Sequence, residues 1–279
     1  MPELPEVENI RRGLSESIVG TTVLNVTIYN PKTIYSKSNI RKVDMVRVQD
    51  FIDNTIGQKI LQVSRNSKQL IIKCENNSLI IHLKMTGQLV VTDEISKVNK
   101  HTCIVFDLGG HYLMFNDVRK FGYVLNYLND DVESVLDIYG LDPQNDEFKF
   151  NEIYSKFRLS KKTLKGMFLD QKIICGVGNI YSDEICFDSS ILPTIYINAL
   201  KPAQIKKIIE STLKIINHSI SVGGSSISDY VLADGTRGGY AEFHKVYGRK
   251  NKECFKCKTI LTGIVLGGRA TVFCSKCQC

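Results

Sequence analysis

Apolar positions in the first twenty residues recur at helical spacing. After Pro5, the segment EVENIRRGLSESIVG sets Val7, Ile10, Leu14 and Ile18 three and four residues apart, and Gly20 follows as a stop. This predicts a short amphipathic helix. From Thr22 to about Leu128 the texture changes to short runs rich in β-branched and aromatic residues, among them TTVLNVTIY, KILQVSR, QLIIKCE, SLIIHLKM, QLVVT, TCIVFDL, HYLMF and YVLNYL. Turn material such as RNSK, ENN, TG and GG separates them, so antiparallel strands in a sandwich are expected, with VQDFIDNTIG as a second helix. The stretch GLDPQNDEFKFN, with Gly140, Pro143 and three acids, lies where strand texture gives way to helical periodicity and marks a domain boundary near residue 145. Beyond it, helices are predicted around 151–158, 161–171 and 179–187. A longer one places Ile205, Ile208, Ile209, Leu213, Ile216 and Ile220 on one face and ends at Gly223-Gly224. The fold class is therefore α+β, in more than one domain.

At 279 residues the chain has room for one large or two ordinary domains, and 43% hydrophobic with 23% charged residues excludes a disordered chain. No run approaches the roughly 18 apolar residues of a membrane span. The opening MPELPEVENI carries three glutamates and fits neither a secretory signal nor a transit peptide, so a cytoplasmic address is expected. Charge divides the chain: residues 1–150 hold 17 Lys and Arg against 19 Asp and Glu, whereas residues 151–279 hold 19 against 10. A basic second half suggests a polyanion partner, most often nucleic acid, with a solvated basic face as the alternative.

Cysteine usage sharpens this picture. Of nine cysteines, Cys74, Cys103, Cys175 and Cys186 are scattered, while Cys254, Cys257, Cys274, Cys277 and Cys279 crowd the end. An odd total without a signal peptide argues against a disulfide framework. Cys254-Phe-Lys-Cys257 and Cys274-Ser-Lys-Cys277 are two Cys-x-x-Cys knuckles with sixteen residues between them. A hairpin of that length brings four thiolates to one Zn2+, and a site filled by four cysteines leaves no open position, so the single zinc is expected to be structural. Between Lys245 and Cys279 there are eight Lys and Arg against one acid, which suits a rigid element that presents cations to phosphates.

The amino terminus offers a different chemistry. Removal of Met1 exposes the secondary amine of Pro2, and an α-amino group titrates near about 8, so an appreciable fraction is neutral and nucleophilic at cellular pH. Its addition to an aldehyde-like carbon yields a permanently positive iminium, an electron sink that favours elimination at the next carbon. Glu3 and Glu6 flank it as proton carriers. Proline and early glutamates also start helices for capping reasons alone.

PELPEVE at 2–8, RNSKQL at 65–70, HLKMTG at 82–87, NDVRKFG at 116–122, GVGNIYSDE at 176–184, VYGRK at 246–250 and the terminal Cys-x-x-Cys pair span nearly the whole chain. In this order they resemble the formamidopyrimidine-DNA glycosylase family, bacterial repair enzymes that remove oxidised purines. The resemblance implies an N-terminal helix with an antiparallel β-sandwich in a catalytic domain at 1–145. A helix–two-turn–helix DNA-binding domain with a lesion-recognition loop would follow at 146–240, and a zinc hairpin at 241–279, with damaged duplex DNA in a cleft and a monomeric enzyme. It also implies roles: Pro2 attacks the sugar C1′, Glu3 serves as general acid and Glu6 supports the site. Lys68 binds a phosphate and assists β-elimination, and Arg269 does likewise for δ-elimination. Met85, Arg119 and Phe121 would fill the gap left by an everted nucleotide. His101, Lys120, Lys161 and Lys165 would contact phosphates, joined by Asn179 at the GVGN turn, an anion site by geometry. The segment 225–242 would close over the base.

Two other readings remain open at this level. One is an endonuclease VIII-like glycosylase for oxidised pyrimidines that uses the same proline. The other is a non-catalytic zinc-containing DNA-binding protein.

Overall fold

The structure, a computed structural model, describes residues 1–35, 43–136 and 138–279. Its chain divides into two compact units, Met1–Asp137 with Val222–Gly239, and Ile138–Ser221 with Tyr240–Cys279.

The first unit opens with α1 (Leu4–Ile18), in which Val7, Ile10, Leu14 and Ile18 are all fully buried. Each buried aliphatic side chain of this kind contributes about 1.5–3 kcal/mol. Next come β1 (Asn25–Ile28), α2 (Met45–Asp53), β2 (Ile60–Asn66), β3 (Gln69–Cys74) and β4 (Asn77–His82). They are followed by β5 (Gly87–Thr92), β6 (Thr102–Asp107), β7 (Tyr112–Asp117), β8 (Tyr123–Leu128) and α3 (Val132–Leu136). The strands form two antiparallel sheets, ordered β2-β3-β4-β8 and β1-β6-β7-β5.

Period-two alternation explains their packing. Leu70 and Ile72 of β3 and Leu79 and Ile81 of β4 share one core with Ile104 and Phe106 of β6, Leu113 and Phe115 of β7, and the buried face of α1. The intervening Ile71 and Ile80 point the other way and join Leu125 under Tyr35, Tyr123 and Tyr127. The sandwich and first helix follow the sequence expectation. α2 begins three residues before the expected VQDFIDNTIG because Asp44 caps it, accepting from the N–H groups of Val46 and Arg47.

Residues 222–239 belong to this unit, although the resemblance groups them with the helices of 146–240. Their apolar members decide it: Tyr230 and Ala233 sit in the sandwich core, and Val91 N–H donates to the Ala233 carbonyl at 2.8 Å. Gly13 of α1 permits the approach, since a Cβ there would lie 2.9 Å from that of Ala233.

The second unit contains α4 (Phe150–Arg158), α5 (Leu164–Leu169), α6 (Asn179–Asp188) and α7 (Pro202–Ser221), then the hairpin β9 (Thr262–Leu266) and β10 (Arg269–Phe273). α5 is shorter than the expected 161–171. The Thr163 hydroxyl accepts from Gly166 N–H and fixes its start, and Asp170 leaves helical geometry at its end. The hairpin root packs through Val246, Cys254, Leu261, Val272 and Cys274 onto Phe187 of α6.

Candidate catalytic N-terminus and nucleic-acid interface

In the first unit, Pro2, Glu3 and Glu6 are all buried. Glu3 occupies the N-cap of α1, and the Glu6 carboxylate reaches back to accept the Glu3 N–H at 2.8 Å. Its second oxygen accepts the N–H of Ser225 at 2.8 Å, and the Tyr230 hydroxyl donates to the Glu6 and Gly223 carbonyls. The 222–239 segment is thus an organised loop on the N-terminus, further closed by Ser226, whose hydroxyl donates to the Tyr230 carbonyl and accepts from Gly238 N–H. Arg237 adds donations to the carbonyls of Ser226 and Ser228. Tyr230 and Arg237 escaped the sequence reading, which named no side chain in this loop.

Lys68 sits on the two-residue turn between β2 and β3, where Ser67 takes φ +55°. The turn is braced from behind. Arg65 donates to the Ser67 carbonyl at 2.8 Å and approaches Glu8 at 3.4 Å. Burial alone would raise the Glu8 carboxyl, but hydrogen bonds from Arg11 and Arg12 and the nearby Arg65 charge hold it below its ordinary value. Among the described residues the buried Ser67 hydroxyl and Gln69 Oε1 have no partner, polar capacity left beside the lysine. His82 of β4, which pairs with Gln69, is pushed down to about 3 by burial and by the charges of Lys84 and Lys68, so it is neutral. Its Nδ1 accepts from Lys84 N–H at 3.0 Å.

HLKMTG and NDVRKFG form adjacent loops, one between β4 and β5 and the other between β7 and β8. Buried Asp117 joins them: one oxygen accepts from the Thr86 hydroxyl and from Arg119 N–H, the other from Gly122 N–H at 2.6 Å. Gly122 is required, because a Cβ there would lie 2.6 Å from the Phe115 ring. This frame brings the three expected wedge residues together. Exposed Arg119 places Nη1 2.9 Å from Met85 Sδ and its guanidinium 4.6 Å from the Phe121 ring centre, while Met85 is 40% exposed. Lys120 is exposed beside them at φ +54°, and the half-buried His101 accepts Asp117 N–H on its carbonyl. Asp117 was not among the sequence candidates. Its role depends on a contact with Thr86, which no local pattern announces.

In the second unit, Asn179 opens α6 after a turn held by Gln171, whose side chain accepts Gly176 N–H and donates to the Val177 carbonyl, both at 2.9 Å. Asn179 Oδ1 is buried and has no partner among the described residues, and Asn179 lines a recess of about 430 Å³ with Tyr247, Lys250 and Thr271. The N–H groups at the start of this helix favour an anion, whereas the Asn179 oxygen, an acceptor, offers a place for a donor. Lys161 is exposed, and exposed Arg269 leads β10 after the Gly267-Gly268 turn.

Lys165 departs from expectation. It is wholly buried, with Nζ 2.5 Å from Asp183 Oδ1 and 3.2 Å from the Ala270 carbonyl, so it is a tie between α5, α6 and the hairpin and not a phosphate contact. An uncompensated ammonium there would cost several kcal/mol, which the paired carboxylate offsets. Asp183 Oδ2 also accepts Val272 N–H, and Glu184 accepts the N–H groups of Lys245, Val246 and Tyr247. Neighbouring carboxylates on α6 therefore grip both the hairpin strand and its approach.

The sulfurs of Cys254, Cys257, Cys274 and Cys277 all lie within 4.8 Å of one another, with Cys254–Cys277 at 3.9 Å and Cys257–Cys274 at 3.5 Å. A tetrahedral ion bound at about 2.3 Å sets its sulfur ligands roughly 3.8 Å apart, so the four thiols fit one metal ion. Gln278 steadies the second knuckle by accepting Cys274 N–H and donating to the Ile191 carbonyl.

Comparison with known proteins agrees with this arrangement. The sequence model of the formamidopyrimidine-DNA glycosylase N-terminal domain matches residues 1–124, and that of the formamidopyrimidine-DNA glycosylase H2TH domain matches residues 139–231. The chain is 36% identical to the formamidopyrimidine-DNA glycosylases of Carboxydothermus hydrogenoformans and Listeria monocytogenes, over the full length of each. It superposes on Lactococcus lactis Fpg, solved with abasic-site DNA, with a TM-score of 0.90 and 30% identity over 99% of both chains. A second structure of that protein, a mutant with Fapy-dG DNA, agrees equally. By sequence along its whole length and by fold, this chain belongs to the formamidopyrimidine-DNA glycosylase family.

Proposed function

We propose that this protein excises oxidised purines, 8-oxoguanine and formamidopyrimidines, from duplex DNA and then cleaves the strand through a covalent intermediate on Pro2. The observation that carries the reading is the N-terminus itself: Pro2, whose nitrogen becomes a secondary amine once Met1 is removed, is buried at the head of α1 beside two buried glutamates, with an ordered loop bonded to one of them. The Pro2 nitrogen attacks C1′ as the glycosidic bond breaks, and Glu3 delivers a proton to the departing base. The nitrogen gives up its proton, the C1′–O4′ bond breaks as O4′ takes a proton, and the iminium so formed withdraws electrons, so loss of a C2′ proton expels the 3′ phosphate, and a second elimination expels the 5′ phosphate. Lys68 and Arg269 hold these phosphates as leaving groups.

Such chemistry needs the nucleotide outside the stack. Met85, Phe121 and Arg119 supply an apolar wedge with one polar tip, and the 222–239 loop covers the everted base. Lys120, His101, Lys161 and Asn179 track the backbone. Zn2+ in the four-cysteine site fixes the hairpin that presents Arg269, a structural task with no open coordination position.

Competitive excision from duplexes containing 8-oxoguanine, ring-opened purine or thymine glycol tests the substrate class. Preferential release of the two purines supports the reading, and preferential release of thymine glycol would transfer the enzyme to the pyrimidine-directed alternative.

A further inference from the structure

Beyond the glycosylase reading, the second unit has a recess of about 450 Å³ that no part of that chemistry uses. Phe187, Ile215 and Tyr240 form its buried floor. Phe243 and Phe255 rise from it and remain 39% and 56% exposed. Three lysines, Lys214, Lys245 and Lys256, stand at its edge. On α6 one recess takes Asn179 and Asp183 and the other Glu184, Phe187 and Asp188, so the two are lined by different residues of the helix.

Charge sets its preference. Of the two acids in the wall, Glu184 is turned inward and satisfied by three backbone N–H groups, and Asp188 is held by Lys214 at 2.7 Å. Lys256 forms no ion pair among the described residues, and Lys245 acts on the buried Glu184 carboxylate only through its charge and its backbone N–H. Each lies over a ring face instead, Lys245 at 5.3 Å from the Phe255 centroid and Lys256 at 4.7 Å from that of Phe187. The result is an apolar slot with aromatic walls under a positive rim.

We propose that this recess docks an acidic peptide segment carrying an aromatic side chain, the ring entering the recess lined by Phe187, Phe243 and Phe255 and the flanking carboxylates meeting the rim lysines. Exposed aromatics beside cations are the composition of interface anchors, and complementary charge would fix the direction of the segment. A duplex offers phosphates but no apolar group to fill such a slot. Single-stranded DNA, whose bases stack on aromatic rings, is the competing occupant.

The test uses the full-length, zinc-loaded protein and a fluorescein-labelled peptide, Asp-Asp-Glu-Asp-Leu-Phe, followed by anisotropy. The parallel probes are the same peptide with Phe replaced by Ala, the same peptide with its acids replaced by Lys, and a labelled twelve-residue oligothymidylate. Saturable binding of the first peptide is expected, weakened at least about tenfold by either peptide change and by either Phe243→Ala or Lys214→Glu, with lesion excision unaltered. Lys214 is exposed, so its variant separates docking from folding. Absence of saturable peptide binding would overturn the proposal. So would variants that lose oligothymidylate while keeping the peptide.

Discussion

The Ser225 backbone N–H donates to Glu6 Oε1 at 2.8 Å and joins positions 219 residues apart. The other Glu6 oxygen takes the N–H of Glu3, so one buried carboxylate fixes both the entry to α1 and the root of the 222–239 loop. Gly224, at φ +79°, passes so close that a Cβ would stand 3.0 Å from Glu6 Oε1. Glu6→Gln sets an amide N–H against one of these two donors. Leaving a buried donor unpaired costs about 1–3 kcal/mol. Denaturant unfolding should show a loss of that order, and single-turnover excision of 8-oxoguanine should fall with it. A variant with unchanged stability and rate would detach the loop from the N-terminal site.

Arg119 should read the orphaned base. Its guanidinium offers only donors, which match the adjacent O2 and N3 acceptors of cytosine and oppose the amino group of adenine. Such a bidentate contact is worth about 1–3 kcal/mol of discrimination, roughly 5- to 150-fold. The ratio of single-turnover rates for 8-oxoguanine opposite C and opposite A should therefore collapse toward unity in Arg119→Ala. An unchanged ratio with uniformly weaker binding would make Arg119 a phosphate contact.

His82 predicts a pH dependence. Burial and the Lys84 and Lys68 charges take it from 6.5 down to about 3, so below 6.5 the unfolded chain gains a proton that the folded chain refuses. Stability should decline as pH falls from 6.5 toward 3, by about 1.4 kcal/mol per unit once well below 6.5, or about 2 kcal/mol at pH 5. His82→Asn keeps an acceptor for Lys84 N–H without the titration. Urea midpoints between pH 7 and 5 should slope less steeply for this variant, and parallel slopes would remove His82 as the source.

The zinc hairpin should serve binding rather than chemistry. Cys257→Ser, or metal stripping, releases the element that carries Arg269, while the sandwich core of the first unit contains none of these cysteines. Affinity for damaged duplex should be lost with the metal, although the sandwich still unfolds cooperatively. Full affinity after verified metal loss would contradict this.

Much of the fold was legible because each element carries its own periodicity: Val7, Ile10, Leu14 and Ile18 announce α1, and the two knuckles announce the metal site. What stayed hidden depends on contacts between distant segments. Lys165 looks like any cation on a short basic helix until Asp183 is seen beside it. Asp117 reads as a loop acid until Thr86 and Gly122 close on it. Tyr230 is a lone aromatic in the loop after α7, and only the fold shows it buried with its hydroxyl on the Glu6 carbonyl.

The identity of the nucleophile is the central claim, and borohydride reduction of the enzyme mixed with 8-oxoguanine or abasic duplex tests it most directly. Reduction converts an iminium on Pro2 into a stable amine that links protein to DNA, and peptide mapping places the link. The wild type should trap DNA at residue 2. Pro2→Gly should trap far less while it binds the duplex nearly as well, because a primary amine at a shifted position replaces the secondary one. Undiminished trapping in Pro2→Gly, or a crosslink mapped to a lysine, would contradict the account.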